Sequence, residues 1–221
     1  MEFRLATFAD TTHIAGLIHE TWGTPTQEDL IDSVLTRPDA PIWVVRNDAG
    51  LVGFCSGFMT HAADGTPRWE VDLLAVASAA RGQGLGRSLV AHSVQSGRQY
   101  GAALFRALIA IRNAASARCF EVNGFQAASI CDLWVGAPAA VEMLPPPLPD
   151  SAHLIRVETL TYRGVWVEGH YDVPTFVAAQ QMALADKRDT VGAVIPAGMA
   201  HDAAQLQFAH IDTYQWWVLS A

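Results

Sequence analysis

Apolar and polar positions change period in a regular order along the chain. Residues 3–7 read as a strand. Asp10 or Thr11 can cap the helix that follows, where Ile14, Leu17, Ile18 and Thr21 or Trp22 recur at helical spacing. A second helix is predicted over 26–36, with Glu28 and Asp29 in its first turn and Arg37-Pro38 ending it. Residues 41–46 and 51–59 are β-rich and joined by Asn47-Asp48-Ala49-Gly50, a hairpin signal. Gly53 and Gly57 inside the second run predict a bulge or a close approach by another group. A strand over 69–76 follows, then a helix with Leu85, Leu89, Val90, Val94 and Gly97 on its buried stripe. The strand at 103–111 is almost wholly apolar, as expected for one covered on both faces. A helix over 114–122 ends at Asn123-Gly124, and a strand at 125–135 closes this portion. The order β-α-α-β-β-β-α-β-α-β predicts an α/β fold, a mixed sheet flanked by helices.

Residues 136–150 hold five of the eleven prolines and read as a stiff linker. Beyond it the pattern predicts strands at 154–162 and 165–171 with a turn at Arg163-Gly164. A helix is predicted over 176–187 behind Pro174, then a strand at 190–195, a helix over 200–210 and a strand at 214–219. This smaller α+β portion has two readings. Set without gaps, 89–113 falls on 176–200, helix on helix and strand on strand, so the tail reads as a degenerate half-copy of the first part. The other reading is an unrelated appendage. In the tail His170-Tyr171-Asp172-Val173-Pro174 stands where the first part has its glycines, so no coenzyme is expected there. Extending the sheet, covering an acceptor cleft, or forming a homodimer surface with Trp216 and Trp217 are the roles left open.

Composition narrows the function. The chain has 221 residues, 51% hydrophobic and 16% charged, enough for a sizeable core. A net charge of −8 argues against nucleic acid and against anionic membrane surfaces. Three cysteines outside any CxxC pair fit a reduced, cytoplasmic protein. No early apolar run resembles a signal peptide, and no stretch approaches a membrane span. The histidines show no metal-ligand spacing, so no metal is expected.

The chemistry concentrates at Arg81, Gly82, Gln83, Gly84, Leu85 and Gly86, a glycine turn opening directly into a helix. Such a turn leaves backbone N–H groups unpaired where the helix dipole is positive, which makes an anion site. A Rossmann loop is excluded because five residues separate Val76 from Gly82 and no acid closes the next strand. A P-loop is excluded because Gly86-Arg87-Ser88 lacks its spacing.

This turn, with Asn113 opening the next helix and Asn123-Gly124-Phe125 closing it, resembles the GNAT acetyltransferase superfamily over about residues 2–135. The resemblance implies a GNAT-type, mostly antiparallel sheet and acetyl-CoA as co-substrate. It also implies transfer to a primary amine, on a small molecule or a protein, by direct attack in a ternary complex. Backbone groups of Leu74 and Val76 would pair with the pantetheine arm beside a bulge. Amides of Gln83, Leu85, Gly86 and Arg87 would bind the pyrophosphate, and Asn113 would touch the coenzyme near its thiol. Val76 N–H would be the oxyanion donor.

Glu70 matches the position of the general base in some members. Strand alternation places Glu70, Asp72, Leu74 and Val76 on one face, so Asp72 is the second candidate. The usual acid, a tyrosine seven residues after the asparagine, is here Phe120, which cannot donate a proton. That departure keeps a catalytically silent acyl-CoA-binding sensor or scaffold as the alternative. Trp22, Trp43 and Phe54 are candidates for an aromatic acceptor wall, and His61 for its rim. Cys119 and Tyr100 are expected to be structural.

Overall fold

The computed structural model describes residues 1–48, 50–140 and 147–221. The chain runs β1 (Glu2–Leu5), α1 (Thr11–Trp22), α2 (Glu28–Leu35), β2 (Ile42–Asn47), β3 (Gly50–His61), β4 (Pro67–Val76), α3 (Leu85–Gln99), β5 (Leu104–Ala110), α4 (Ala114–Glu121) and β6 (Gln126–Gly136). It continues through β7 (His153–Glu158), β8 (Arg163–Glu168), α5 (Val173–Ala185), β9 (Thr190–Pro196), α6 (His201–Gln205) and β10 (Ala209–Ser220).

The helix stripes form as their spacing predicts. Ile14, Leu17 and Ile18 of α1 pack with Ile31 and Val34 of α2 on one side of the sheet. Leu89, Val90 and Val94 of α3 pack on the other side. Asp10 does not cap α1, because its fully buried carboxylate is turned back to Arg4 (2.7 and 2.9 Å), Arg46 (3.2 Å) and the Thr7 amide (2.9 Å). The Arg4 guanidinium, helped by the Thr7 amide and hydroxyl, outweighs burial and holds that carboxyl far below its usual range. The close approach predicted at Gly57 is real. Trp69 is fully buried between Gly57 and Gly97, where added Cβ atoms would come within 2.7 and 2.6 Å of its indole.

The strands of the described residues form one ten-stranded sheet, in the order β1-β2-β3-β4-β5-β10-β6-β9-β8-β7. Among the described strands, only the pairs β4–β5 and β8–β9 are parallel. Residues 50–136 and 153–220 repeat one order of elements: an antiparallel pair, a helix, a strand parallel to the one before the helix, a helix, and a last strand. The last strands are exchanged. β10 lies between β5 and β6, pairing Trp217 with Ala107 and Tyr214 with Cys131. β6 in turn pairs with β9, Leu133 opposite Val194. The tail therefore extends the sheet of the first part and inserts into it.

Several predicted boundaries shift. The β7–β8 turn is at Thr159–Tyr162 rather than Arg163-Gly164, because the Thr159 hydroxyl accepts the amides of Thr161 (3.3 Å) and Tyr162 (3.2 Å). α6 is shorter than predicted and β10 longer, with Gln207 at φ 60° closing the helix. β5 is not covered by helices on both faces. Phe105, Ala107 and Ile109 pack under α3, while Arg106, Leu108 and Ala110 line a cavity. Of the predicted linker, 141–146 lie outside the described residues.

Candidate functional site

The site begins with a fault in a strand. β3 and β4 pair in one register up to Gly57 opposite Val71, and in another from Cys55 opposite Leu74. Ser56 therefore faces two residues, Asp72 and Leu73, and its hydroxyl accepts the Leu73 amide at 3.1 Å. The bulge resets alternation, which corrects the sequence expectation. Glu70 and Asp72 share the α1 side with Leu73 and Ala75, while the side chains of Leu74 and Val76 turn to the α3 side with Val71.

Pairing of β4 with β5 stops at Val71 opposite Ala107, so β4 leaves its neighbour at the bulge. Beyond it Ala77 N–H donates to the Val52 carbonyl at 2.9 Å. By antiparallel alternation, the N–H groups of Leu74 and Val76 then point away from β3, into the gap. The glycine turn lies past the end of that gap. Gly82 and Gly84 sit at φ 79° and 77°, a backbone shape other residues rarely adopt. Arg81 Nε donates to the Val76 carbonyl at 3.0 Å and ties the turn to the strand. Among the described residues no acceptor meets the amides of Gln83, Leu85, Gly86 or Arg87; Ser88 is the first to bond back, to Gly84 at 3.1 Å.

The tail has no such turn. The α5 N-terminus is filled by carboxylates: Asp172 accepts the Thr175 amide (3.0 Å) and Asp202 the Val173 amide (3.2 Å), and Pro174 brings no N–H.

A cavity of about 990 Å³ runs from the β4–β5 gap across the sheet to the β7–β8 hairpin. Inside it the two β4 carboxylates have different company. Glu70 accepts from Arg106 Nη2 (2.7 Å) and from the Thr60 hydroxyl (2.6 Å). Glu168 of β8 reaches the same Arg106 (2.7 Å) and Arg68 (2.9 Å), closing a network of two acids and two bases. Burial pushes Glu168 up, but Arg106 and Arg68 outweigh it and hold the carboxyl below its usual range. Arg106 also lies 4.4 Å from the Trp216 ring. Asp72 has no hydrogen-bond partner among the described residues. Burial pushes its carboxyl up to about 7, and the charge of Glu70 adds to the rise.

Other candidates separate cleanly. Asn113 caps α4, its side chain accepting the Ser116 amide at 3.1 Å at the cavity rim. Phe120 is buried edge-on against Phe125, with one side on the cavity. Trp22 lines the cavity, but Phe54 is core, and Trp43 stacks on His92 and donates to Ser96 (2.9 Å). His61 is exposed at the end of β3 and is not a lining residue. Cys119 packs at Gly86, and burial pushes its thiol up. Tyr100 stacks on Trp69 and donates to the Pro38 carbonyl. Trp216 lines the cavity and Trp217 packs on the first core.

Sequence reasoning missed Arg106, Arg68, Glu168, Tyr162 and Trp166. Arg106 carried a signal, since one charge in an otherwise apolar strand needs a buried partner.

The family model described as Acetyltransferase (GNAT) family matches residues 6–125. The chain belongs to the GNAT acetyltransferase family. No curated protein matches it. Among solved structures, a ribosomal-protein-alanine N-acetyltransferase from Brucella melitensis is 24% identical, with a TM-score of 0.54 over 60% of this chain and 88% of that one. A GNAT superfamily phosphinothricin acetyltransferase from Sinorhizobium meliloti, solved with acetyl-CoA, is 21% identical, with a TM-score of 0.53 over 59% and 77%. A GCN5-related glucosamine N-acetyltransferase region of a fungal multi-domain GH3 β-N-acetylglucosaminidase is 12% identical, with a TM-score of 0.63. That match covers 99% of this GNAT chain but only 38% of the fungal one. At these identities the likeness is one of fold.

Proposed function

We propose that the chain transfers an acetyl group from acetyl-CoA to a primary amine by direct attack in a ternary complex. The observation that carries this reading is the row of unpaired amides at the α3 N-terminus, continuous with the open edge of β4. The amides of Gln83, Leu85, Gly86 and Arg87 suit a pyrophosphate, with Arg81, Gly82 and Gly84 shaping the turn. The edge groups of Leu74 and Val76 suit the amides of a pantetheine arm, and Asn113 stands at the rim near its thiol end.

Asp72 takes the role of general base. A carboxyl near 7 is half ionised at neutral pH and accepts a proton efficiently there. Glu70 is committed to Arg106 and Thr60, so its role is to hold the wall and raise Asp72. An incoming ammonium gives one proton to Asp72, and its freed lone pair forms the N–C bond to the thioester carbonyl. The N–H of Val76, turned into the gap, faces the oxyanion. The C–S bond then breaks and the second nitrogen proton ends on sulfur. Phe120 cannot carry that proton, so the thiolate leaves without a phenol at that place.

Phe120 also favours a second reading, a silent acyl-CoA sensor. A thermal shift with acetyl-CoA tests binding, with about 2.7 kcal/mol of stabilisation expected at 100-fold over Kd. No shift sinks both readings. Thiol release with an amine panel separates them.

The repeated element order supports reading residues 153–220 as a half-copy of 50–136. Its α5 N-terminus, filled by Asp172 and Asp202, supports one coenzyme per chain.

A further inference from the structure

The cavity holds more than the acetyl-transfer centre needs, and its far wall comes from the tail. The β7–β8 hairpin is fixed against α1 and α2. Val157 and Leu160 share a core with Ile14, Ile18 and Ile31. Ser33 donates to Glu158 (2.6 Å), and Arg37 to the Glu158 carbonyl (3.2 Å). These contacts tie the hairpin to the α1–α2 side and make it a fixed wall of the cavity. A volume of about 990 Å³ lies at the upper end of small-molecule sites, which run ~300–1,000 Å³.

The lining says what kind of molecule fits. The two arginines and two glutamates of the network cancel one another, each ion paired within 2.7–2.9 Å. Asp72 is the acid left over. Glu70 on its own strand and the Tyr162 phenol from the hairpin act on it, while Arg106 on β5 and Glu168 on β8 line the same cavity. Tyr162 is held by an indole: Trp166 Nε1 donates to its oxygen at 2.7 Å, with the rings edge to face at 6.3 Å. Phe58 and Trp22 add apolar surface on the α1 side. A carboxylate without a partner beside fixed aromatic faces is complementary to an ammonium on a flat apolar body.

We propose that the acceptor is a small arylalkylamine, its ammonium on Asp72 and its ring against Tyr162 and Trp166, and not a polypeptide. This rests on the transferase reading for its use, but the site is testable without turnover. Phenethylamine and tyramine are the probes, set against spermidine and against peptides with a free α-amine or a lysine. Binding is measured by calorimetry on the full chain, and transfer by thiol release from acetyl-CoA. Phenethylamine is expected to bind, to weaken at least tenfold in Asp72→Asn and Trp166→Ala, and to bind more tightly as pH rises through 7. Circular dichroism and acetyl-CoA binding check that the variants fold. The expected kcat/KM for arylalkylamines exceeds that for peptides at least 100-fold. No binding of either aryl probe, or binding indifferent to Asp72→Asn, overturns the proposal. Preferred transfer to a peptide or to spermidine overturns it and leaves the transferase reading intact. Aryl binding that depends on Asp72 and Trp166, with no thiol released from any amine, upholds the site and overturns the transferase reading instead.

Discussion

Glu70 and Asp72 stand two residues apart on one strand and line one cavity, yet Arg106 serves the first and, among the described residues, none hydrogen-bonds to the second. The difference predicts two kinds of mutant. Asp72→Asn is expected to lower kcat about 100-fold or more, within the range of general-base removal, with acetyl-CoA affinity unchanged. Glu70→Gln leaves Arg106 with Glu168 as its one remaining carboxylate among the described residues and is expected to cost roughly 1.5–3 kcal/mol of stability, the range for a lost charged hydrogen bond. Parallel kinetics and denaturation curves check this; equal loss of rate with no loss of stability in Glu70→Gln would return the base to Glu70.

The same carboxyl sets a pH dependence. An Asp raised from 3.8 to about 7 holds its proton in the folded state after the unfolded chain has lost it. The folded state then binds more protons, so Asp72's contribution to stability falls as pH rises from about 4 to 7 and is flat beyond. Activity runs the other way, with kcat/KM rising through about 7 as the base ionises. In Asp72→Asn both trends should vanish, which stability curves and pH–rate profiles at several pH values would read.

The turn offers a separate test. Gly84→Ala puts a Cβ on a residue at φ 77°, which costs about 1 kcal/mol at this N-cap. Because the strain falls on the amides themselves, the expected loss in acetyl-CoA affinity is tenfold or greater. Gly65→Ala, at φ 84° in a loop away from the site, is the control, with a similar stability cost and normal affinity. Calorimetric titration of both variants decides it.

The strand exchange predicts how the chain fails when cut. A chain ending at residue 150 keeps the region matched by the family model but takes β10 from β5 and both partners from β6. Such a fragment is expected to aggregate or to associate with itself, since two apolar strands would present open edges. A monomeric fragment with a cooperative melt, seen by sedimentation and calorimetry, would contradict this.

Helix positions, the glycine turn and the asparagine cap were legible because each depends on local chemistry. The parity of β4 was not. Glu70 and Leu74 lie an even number apart, and alternation puts them together until the Ser56 hydroxyl takes the Leu73 amide, a contact made from another strand. The partner of β5 was equally hidden, because β6 and β10 are both long and aromatic and nothing local says which one follows it. The network around Arg106 needs Glu168, 62 residues away, and only the folded sheet brings the two together.

The exchanged strands also constrain how the protein is made. β5 ends at Ala110, and the strand that completes it begins at Ala209. At ~5–20 residues per second, a ribosome needs roughly 5–20 s to cross that interval. For that time the first part waits with an apolar edge open, because its neighbour in the sheet emerges only after that interval. Completion of the sheet therefore lags well behind synthesis of β5, is slow in the manner of high-contact-order sheets, and is exposed to premature termination at any point before β10 is made.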